Sequence, residues 1–331
     1  MPPETLYRPK GAGHSAPEGE RRHTKLKDEL VEAFEKWLDM ESRYLGHKFN
    51  IFDAYHMAES ILSYMPGKED MTPQEIGGLP LPFQDHPAVI EAGIFLSAAY
   101  NMLGDGVQNV VFDNATDTEL NHMGMYLNPN VLLLLRGDFG TGTGYNSYGG
   151  IISYGNIRGG LGSDSKGVIV NMGEAEDLAY GSRCVAINFG KSKRFGFGFR
   201  WFLNYGEIEK YQASDTCNHV IVREPGKMEL DERTQRLYSG KVIEKTNVIL
   251  PEQCARSPEL IARLDEIKGN LDPSLPDEKV FEQLLWLRAN WSVIDGDVLD
   301  MRFLTLIENE VQHYLEEAGV VEKRRRLGDD I

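Results

Sequence analysis

The sequence predicts an α+β protein with a central β-solenoid, a parallel β-helix of about 17 residues per coil, between helical N- and C-terminal regions. Three observations support this fold class. Glycines recur at a nearly constant interval in the middle of the chain, a short apolar segment precedes each of them, and both flanking regions carry apolar residues at helical spacing. We expect the helical regions to cap the open strand edges at the two ends of the solenoid.

The chain divides into four predicted segments. Residues 1–23 are rich in proline, glycine and charged residues, a composition that is typical of a disordered arm. Residues 24–108 are predicted to form the N-terminal helical region, 109–250 the solenoid and 251–331 the C-terminal helical region.

Helix signals follow one another through the N-terminal region. Leu26, Leu30 and Phe34 have helical spacing within the first predicted helix, which extends to about residue 65. Asn50 predicts an N-cap for a second helical start inside this stretch. Thr72-Pro73-Gln74-Glu75 predicts a capping box with proline at the first helical position.

Three further helices are predicted on either side of the solenoid. The first is expected to begin near Asp85 and to end at Gly104. In the C-terminal region, one helix is expected to begin after Ser257 and to end at Gly269, and Asp277 is expected to cap the next.

The solenoid is predicted from a glycine repeat. Successive glycines are separated by 18, 18, 17 and 16 residues, and the apolar segments before them (VLLLL, GGIIS, GVIV, CVAI and WFL) each have the length of one short strand. We expect each glycine to form a corner at which φ is positive. The repeated glycines are Gly137, Gly155, Gly173, Gly190 and Gly206.

An asparagine precedes the glycine by two positions in three of these repeats. Residues at equivalent positions of stacked coils lie one above another, so Asn171, Asn188 and Asn204 are expected to form a ladder of amide hydrogen bonds. Ser153 is expected to cap the row, and the residue after each asparagine is expected to join an apolar stack. This arrangement gives the motif a structural role.

The rhythm of residues 137–162, within the stretch 131–225, resembles the GXGXG β-solenoid family. The shared features are Gly137 and Gly140 three positions apart, the pair Gly149-Gly150 before an apolar strand, and the closing Gly155. This family includes the C-terminal domain of the glutamate synthase large subunit and a subunit of formylmethanofuran dehydrogenase. The resemblance implies a right-handed β-helix that supports other domains, and it carries over no catalytic residue. The sequence departs from the family pattern after Gly162.

Composition restricts the class of function. The net charge of −16 argues against a general nucleic-acid binder, which carries a positive surface. No apolar run reaches the length of a membrane span, and the first residues lack the apolar segment of a secretory signal. The three widely spaced cysteines predict reduced thiols in a cytoplasmic protein. No cofactor or metal is expected.

Two stretches resemble functional motifs. GTGTGY, residues 140–145, is similar to a phosphate-binding loop, but it precedes a predicted strand instead of a helix, which favours a solenoid corner. FGFGFRWF, residues 195–202, resembles an RNA-recognition signature without the fold that this signature requires. With the basic residues before it, this stretch forms a candidate interaction surface of Lys191, Lys193, Arg194, Phe197, Arg200 and Trp201.

Polar side chains give two weaker candidates. Glu174, Glu176 and Asp177 share one coil and are candidates for a catalytic groove, as in solenoids that cleave polysaccharides. A candidate polar cluster, whose alternative is a polar loop that enters the solenoid, consists of Asp113, Asp117, Glu119 and His122.

These observations favour a non-enzymatic scaffold or protein-interaction subunit, since each strong motif has a structural explanation. A protein partner or a second copy of the chain is expected to bind at the helical ends, where residues 298–315 carry an apolar helical face. One alternative is an enzyme, or a subunit of an oxidoreductase complex, that uses a groove on the solenoid. A second alternative is RNA binding through residues 191–202.

Overall fold

The computed structural model describes residues 18–44, 50–65, 67–104, 106–195, 201–204, 206–211, 218–221, 229–230, 248–249, 258–290, 293–294 and 298–299. The helices are α1 (Glu18–Tyr44), α2 (Ile51–Ser63), α3 (Pro73–Gly77), α4 (Ala92–Asn101), α5 (Pro258–Asn270) and α6 (Asp277–Asn290). Short 3₁₀ turns lie at Lys68–Asp70, Leu81–Phe83 and Val89–Glu91. The strands are β1 (Gln108–Asp113), β2 (Val131–Arg136), β3 (Gly150–Ser153), β4 (Ile157–Leu161), β5 (Val168–Asn171), β6 (Glu174–Leu178), β7 (Val185–Asn188), β8 (Lys191–Phe195), β9 (Trp201–Asn204), β10 (Glu207–Tyr211), β11 (Asn218–Ile221), β12 (Glu229–Leu230), β13 (Val248–Ile249), β14 (Val293–Ile294) and β15 (Val298–Leu299).

Two parallel sheets form the β-solenoid. The first sheet has the order β1-β2-β3-β5-β7-β9-β11-β13, and the second has the order β12-β10-β8-β6-β4. From β3 to β13, successive strands of the chain alternate between the two sheets, so each coil adds one strand to each sheet. Isolated parallel bridges join Leu120 to Phe139 and Phe139 to Ile157. These bridges continue the second sheet into the first coil, residues 108–130. The predicted α+β solenoid with helical regions on both sides is thereby confirmed.

The coils stack in register. Gly150 of β3 pairs with Val168 of β5, Val168 with Val185 of β7, and Val185 with Trp201 of β9. These partners are 18, 17 and 16 residues apart, which is the spacing of the glycine repeat. Each coil therefore places residues at equivalent positions of the repeat directly above those of the coil before it.

The corner glycines are required by close contact between coils. A Cβ atom added to Gly155, Gly173, Gly190 or Gly206 would lie under 3.0 Å from the carbonyl oxygen of the corner glycine one coil earlier. The expectation of a positive φ is wrong for these four, and only Gly137 has one, at +91°. Glycine is needed because successive coils cross backbone on backbone at this corner.

Strands β2, β3, β5 and β7 of the first sheet are buried on both faces, which accounts for their uninterrupted apolar runs. Successive side chains point to opposite faces, so Ile151 and Ile169 face the interior of the solenoid while Ile152 and Val170 face outward. Helix α6 covers the outward face at β2 and β3. Leu284 of α6 lies against this face, 3.3 Å from the position that a Cβ atom would take on Gly150.

Polar contacts fix the α5–α6 pair to the solenoid. The Tyr154 hydroxyl donates to the backbone carbonyl of Leu271 at 2.6 Å. Arg136 at the end of β2 forms an ion pair with Asp277, the first residue of α6. Asp277 was expected to act as a helix cap, and its carboxylate instead binds this guanidinium.

Helix α4 closes the first end of the solenoid. Its residues from Ala92 to Tyr100 are buried, and its polar groups bind the backbone of the first coil. The amide of Asn121 donates to the carbonyl of Ile90 just before α4 (2.6 Å), the amide of Gly124 donates to Ser97 Oγ (2.8 Å), and Asn101 Nδ2 donates to the carbonyl of Tyr126 (2.9 Å). The first coil has no preceding coil, so α4 supplies the hydrogen-bond partners that such a coil would provide.

The N-terminal helices pack around this closure. Phe34 and Trp37 of α1 contact Phe95 of α4 with ring centroids 5.1 and 5.7 Å apart. The predicted N-cap at Asn50 and the capping box from Thr72 to Glu75 are confirmed. The buried apolar side chains of α1, α2 and α4 thus form one layer that is continuous with the interior of the solenoid.

Three helix expectations need correction. Helix α4 begins at Ala92 and not near Asp85, because the preceding residues form turns and a short 3₁₀ segment. The first helix, expected from residue 24, begins at Glu18 as α1, whereas the second start expected at Asn50 is α2. The apolar face at 298–315 begins in β15, which pairs with β14, so Val298 and Leu299 are not helical; residues 300–315 lie outside the described chain.

None of the helices in the described ranges combines the length and the apolar character needed to cross a bilayer. Cys184 is a free, buried thiol, and burial raises its pKa to about 12; Cys217 and Cys254 lie outside the described residues. A cytoplasmic location stays a prediction.

Gly173→Ala tests the backbone contact between coils. We expect this variant to lose roughly 3 kcal/mol or more of unfolding free energy, because its new methyl group meets the backbone of the preceding coil. Gly269→Ala is the matched control, since no atom lies within 4 Å of its Cβ position in α5 and alanine favours a helix by up to about 1 kcal/mol. Equal effects of the two substitutions in urea unfolding would contradict the stacked corner.

Candidate functional site

The ladder asparagines form a hydrogen-bonded row inside the solenoid. Asn171 Nδ2 donates to Asn188 Oδ1, and Asn188 Nδ2 donates to Asn204 Oδ1, both at 2.8 Å. The same amides also donate to backbone carbonyls of the second sheet, at Lys191 (3.0 Å) and Glu207 (3.3 Å). All three asparagines are buried, so the row connects the two sheets of successive coils from within.

The row has a different start from the one expected. The hydroxyl of Ser153 donates to the carbonyl of Gly155 at 3.3 Å, and Asn171 Oδ1 has no hydrogen-bond partner within the described part of the chain. The expected serine cap is therefore wrong. A serine side chain is shorter than asparagine, and its hydroxyl binds the carbonyl of its own corner.

A row of buried serines at another corner was missed by the sequence analysis. Ser165 Oγ donates to the carbonyl of Gly144, and Ser182 Oγ donates to the carbonyl of Gly162, both at 2.6 Å. Ser147 occupies the equivalent position one coil earlier. The spacing of 18 and 17 residues between these serines is the signal that could have revealed them.

The candidate polar cluster does not assemble into one site. Asp113 Oδ1 lies 3.5 Å from Arg136 Nη1, and Glu119 Oε1 lies 3.0 Å from Arg158 Nη2. Asp117 is exposed in the loop between Asp113 and Glu119. Within the described ranges, no group of three or more His, Cys, Asp and Glu side chains is arranged to hold a metal ion. The fourth member of the candidate cluster, His122, faces a different set of residues.

The basic part of the candidate interaction surface lies between two rows of acidic side chains. The exposed face of the second sheet carries acidic residues on β6, basic residues on β8 and acidic residues on β10. Phe197 and Arg200 lie outside the described residues, and Trp201 is the first residue of β9. The ion pairs join Lys191 to Glu174 (3.9 Å) and Glu207 (3.7 Å), Lys193 to Glu176 (2.7 Å), and Arg194 to Asp177 (2.7 Å).

This pairing also involves the candidate carboxylates of the solenoid groove. The Lys193 ammonium group holds the pKa of Glu176 below its usual value. Burial raises the pKa of Asp177, and the Arg194 guanidinium opposes that rise. Both carboxylates therefore have a structural role as partners of the next strand.

GTGTGY is a turn-rich segment within one coil, and its Thr143 bridges to Leu161 of β4 in the next coil. Gly142 and Gly144 both have φ of +70°, and the chain continues into β3 and not into a helix. Gly144 meets the backbone of Gly162 in the next coil. The turn therefore lacks the helix N-terminus that a phosphate-binding loop requires.

A cluster of polar side chains, of which Glu41 is buried and the others partly buried, lies where α1, α4 and the first coil meet; we call it the cap cluster, and it consists of Glu41, Glu91, Asn121 and His122. Asn121 Nδ2 donates to Glu91 Oε1 at 2.9 Å, and His122 Nε2 lies 3.5 Å from Glu91 Oε2. Glu41 on α1 is only 3% exposed. Glu41 Oε2, Glu91 Oε2 and His122 Nδ1 are buried and have no hydrogen-bond partner among the described residues.

The backbone of His122 is in the left-handed region, with φ of 60°. Gly142 has the equivalent conformation in the next coil, and its Cβ position would overlap the His122 ring. A left-handed conformation costs a non-glycine residue roughly 1–2 kcal/mol. Histidine is thus held at a position that favours glycine, and its ring is directed toward Glu91.

Burial perturbs two groups of the cap cluster in opposite senses. Burial raises the pKa of Glu41 to about 7, and the nearby Glu91 carboxylate adds to this rise. Burial lowers the pKa of His122, and the Glu91 carboxylate opposes this effect. Both shifts favour the uncharged forms, so the cluster can gain or lose a proton near neutral pH.

Sequence analysis identified only His122 of this cluster. Glu41 lies in a helix with many exposed acidic residues, and Glu91 lies 50 positions further along the chain. No local spacing connects them, since only the packing of α1 on α4 brings them together.

Comparison of the chain with protein-family models, with curated proteins and with solved structures found no match. The resemblance of residues 131–225 to the GXGXG β-solenoid family stays a prediction.

Asn188→Ala tests the ladder. We expect it to lower the unfolding free energy by about 2–3 kcal/mol, because it leaves the buried Asn171 donor and Asn204 acceptor without their partner. Asn156→Ala is the control, since the amide of Asn156 binds Asp138 on the exposed surface at 2.9 Å. Equal losses for both variants in urea denaturation would exclude a stabilising role of the ladder.

Proposed function

We propose that the protein is a non-enzymatic scaffold or protein-interaction subunit built on the β-solenoid. The observation that carries the proposal is the use of the candidate reactive groups in intramolecular contacts. The asparagine and serine rows join coils, and the acidic and basic side chains of the second sheet pair with one another. These contacts support a rigid body whose outer surfaces present binding sites.

The helical ends are the proposed contact region. Of the eight exposed large apolar side chains in the described ranges, five lie in the N-terminal helical region, between α2 and β1. A group of exposed apolar side chains in one region of a protein is typical of a surface that binds another protein. The five are Phe52, Tyr64, Leu81, Ile90 and Val107.

The ion pairs of the second sheet favour protein interaction over RNA binding. Lys191, Lys193 and Arg194 each have a carboxylate partner, so phosphate groups would have to displace those carboxylates. The groove hypothesis for an enzyme is weakened in the same way, because Glu176 and Asp177 take part in these pairs.

Native mass spectrometry of the protein, purified gently from its own source, tests this proposal. We expect a stoichiometric complex with a protein partner or a defined homo-oligomer. We expect the double variant Leu81→Glu/Ile90→Glu to dissociate that complex, because both side chains are exposed in the N-terminal helical region, at 46% and 38%.

Leu285→Glu is the matched control for this experiment. Leu285 has similar exposure, 40%, but lies on α6 at the other helical region, so this variant should retain the complex. If the control alone dissociates the complex, the contact region lies on α6. A bare monomer of the unaltered protein would contradict the scaffold proposal.

A further inference from the structure

The cap cluster brings together polar side chains from three separate parts of the chain. Glu41 belongs to α1, Glu91 ends the 3₁₀ turn before α4, and His122 belongs to the first coil. Around them the packing is apolar, with Phe34 and Trp37 of α1 against α4. A buried carboxylate without a partner is unfavourable, whereas the protonated carboxyl group is much less so.

We infer that α1 is docked on the solenoid cap through a proton held at Glu41, and that loss of this proton loosens α1 from the cap. With the proton in place, Glu41 is neutral beside Glu91. After its loss, Glu41 and Glu91 are two neighbouring carboxylates at this joint, and their mutual repulsion favours a state in which Glu41 reaches water. Opening would expose the apolar side of α4 that α1 now covers.

Other charged groups near this joint are engaged elsewhere in the described structure. On α1 itself, Asp39 lies 4.0 Å from His86, which precedes α4. On α2, which also packs against α1, His56 and Glu59 pair with each other at 3.0 Å on the exposed side. Helix α4 carries no charged side chain between Ala92 and Asn101. Among the described residues, Glu91 is therefore the charged group that acts on Glu41 across the joint, and His122 in turn lies next to Glu91.

The sign of the pH dependence follows from the direction of the shift. The pKa of Glu41 is about 7 in the docked state and returns toward its ordinary value of 4.5 when α1 opens. The docked state binds more protons, so its stability is fully present below pH 4.5 and is lost as the pH rises through 7. Between pH 6 and pH 8, linkage favours opening of α1 by roughly tenfold.

Hydrogen exchange of the full-length protein at pH 6 and pH 8 measures this opening. After correction for intrinsic exchange, we expect the protection factors of α1 amides to fall about tenfold, while those of β5 and β7 stay constant. Glu41→Gln keeps the shape of the side chain but removes its titration. In this variant, the protection of α1 should be equal at the two pH values.

Two further variants keep the test decisive. Glu35→Gln changes an exposed carboxylate on the same helix and should behave as the unaltered protein does. Glu91→Gln removes the neighbouring charge, so it should reduce the fall in protection without abolishing it. If α1 protection in the unaltered protein does not change between pH 6 and pH 8, or if Glu41→Gln shows the same fall, the inference is wrong. This test does not depend on the scaffold proposal, since it needs no partner.

Discussion

The close passage of one coil over the next at the glycine corner is the constraint on which the rest of the structure depends. A side chain at Gly173 or Gly190 would occupy the position of the neighbouring carbonyl group. With these corners in contact, equivalent residues lie at the strand separation of about 4.8 Å. That distance allows the asparagine row to form inside and the charged rows to pair outside. One backbone contact therefore sets the register of both sheets.

The first end of the solenoid is covered, so its strand edge is not exposed. The first coil has no preceding coil, and α4 supplies backbone and side-chain hydrogen-bond partners in its place. The same closure buries the carboxyl group of Glu41, and partly buries that of Glu91, beside an apolar layer. A well-packed apolar group at Glu41 would avoid that unfavourable burial. The retained carboxyl group makes the attachment of α1 sensitive to pH, as we infer above.

Features that repeat along the chain could be predicted from the sequence, and features that depend on packing between distant segments could not. The glycine interval predicted the coil length, and Asn171, Asn188 and Asn204 predicted the row that the structure contains. Burial of the first sheet on both faces was not predicted, because an apolar run alone does not identify the element that covers it. The proximity of Glu41 to Glu91 was missed for the same reason, since only the packing of α1 on α4 brings them together.

The most direct test of the stacked coils is disulfide formation across two of them. In a variant whose native cysteines are replaced, Glu174→Cys and Lys191→Cys would place thiols on paired residues of β6 and β8. Paired residues lie about 4.8 Å apart, within the range that a disulfide bridges, whereas Glu174→Cys with Lys193→Cys is offset by two positions. We predict rapid oxidation of the first pair and little of the second, measured by intact mass. Equal oxidation of both pairs, or preference for the offset pair, would contradict the register on which this account depends.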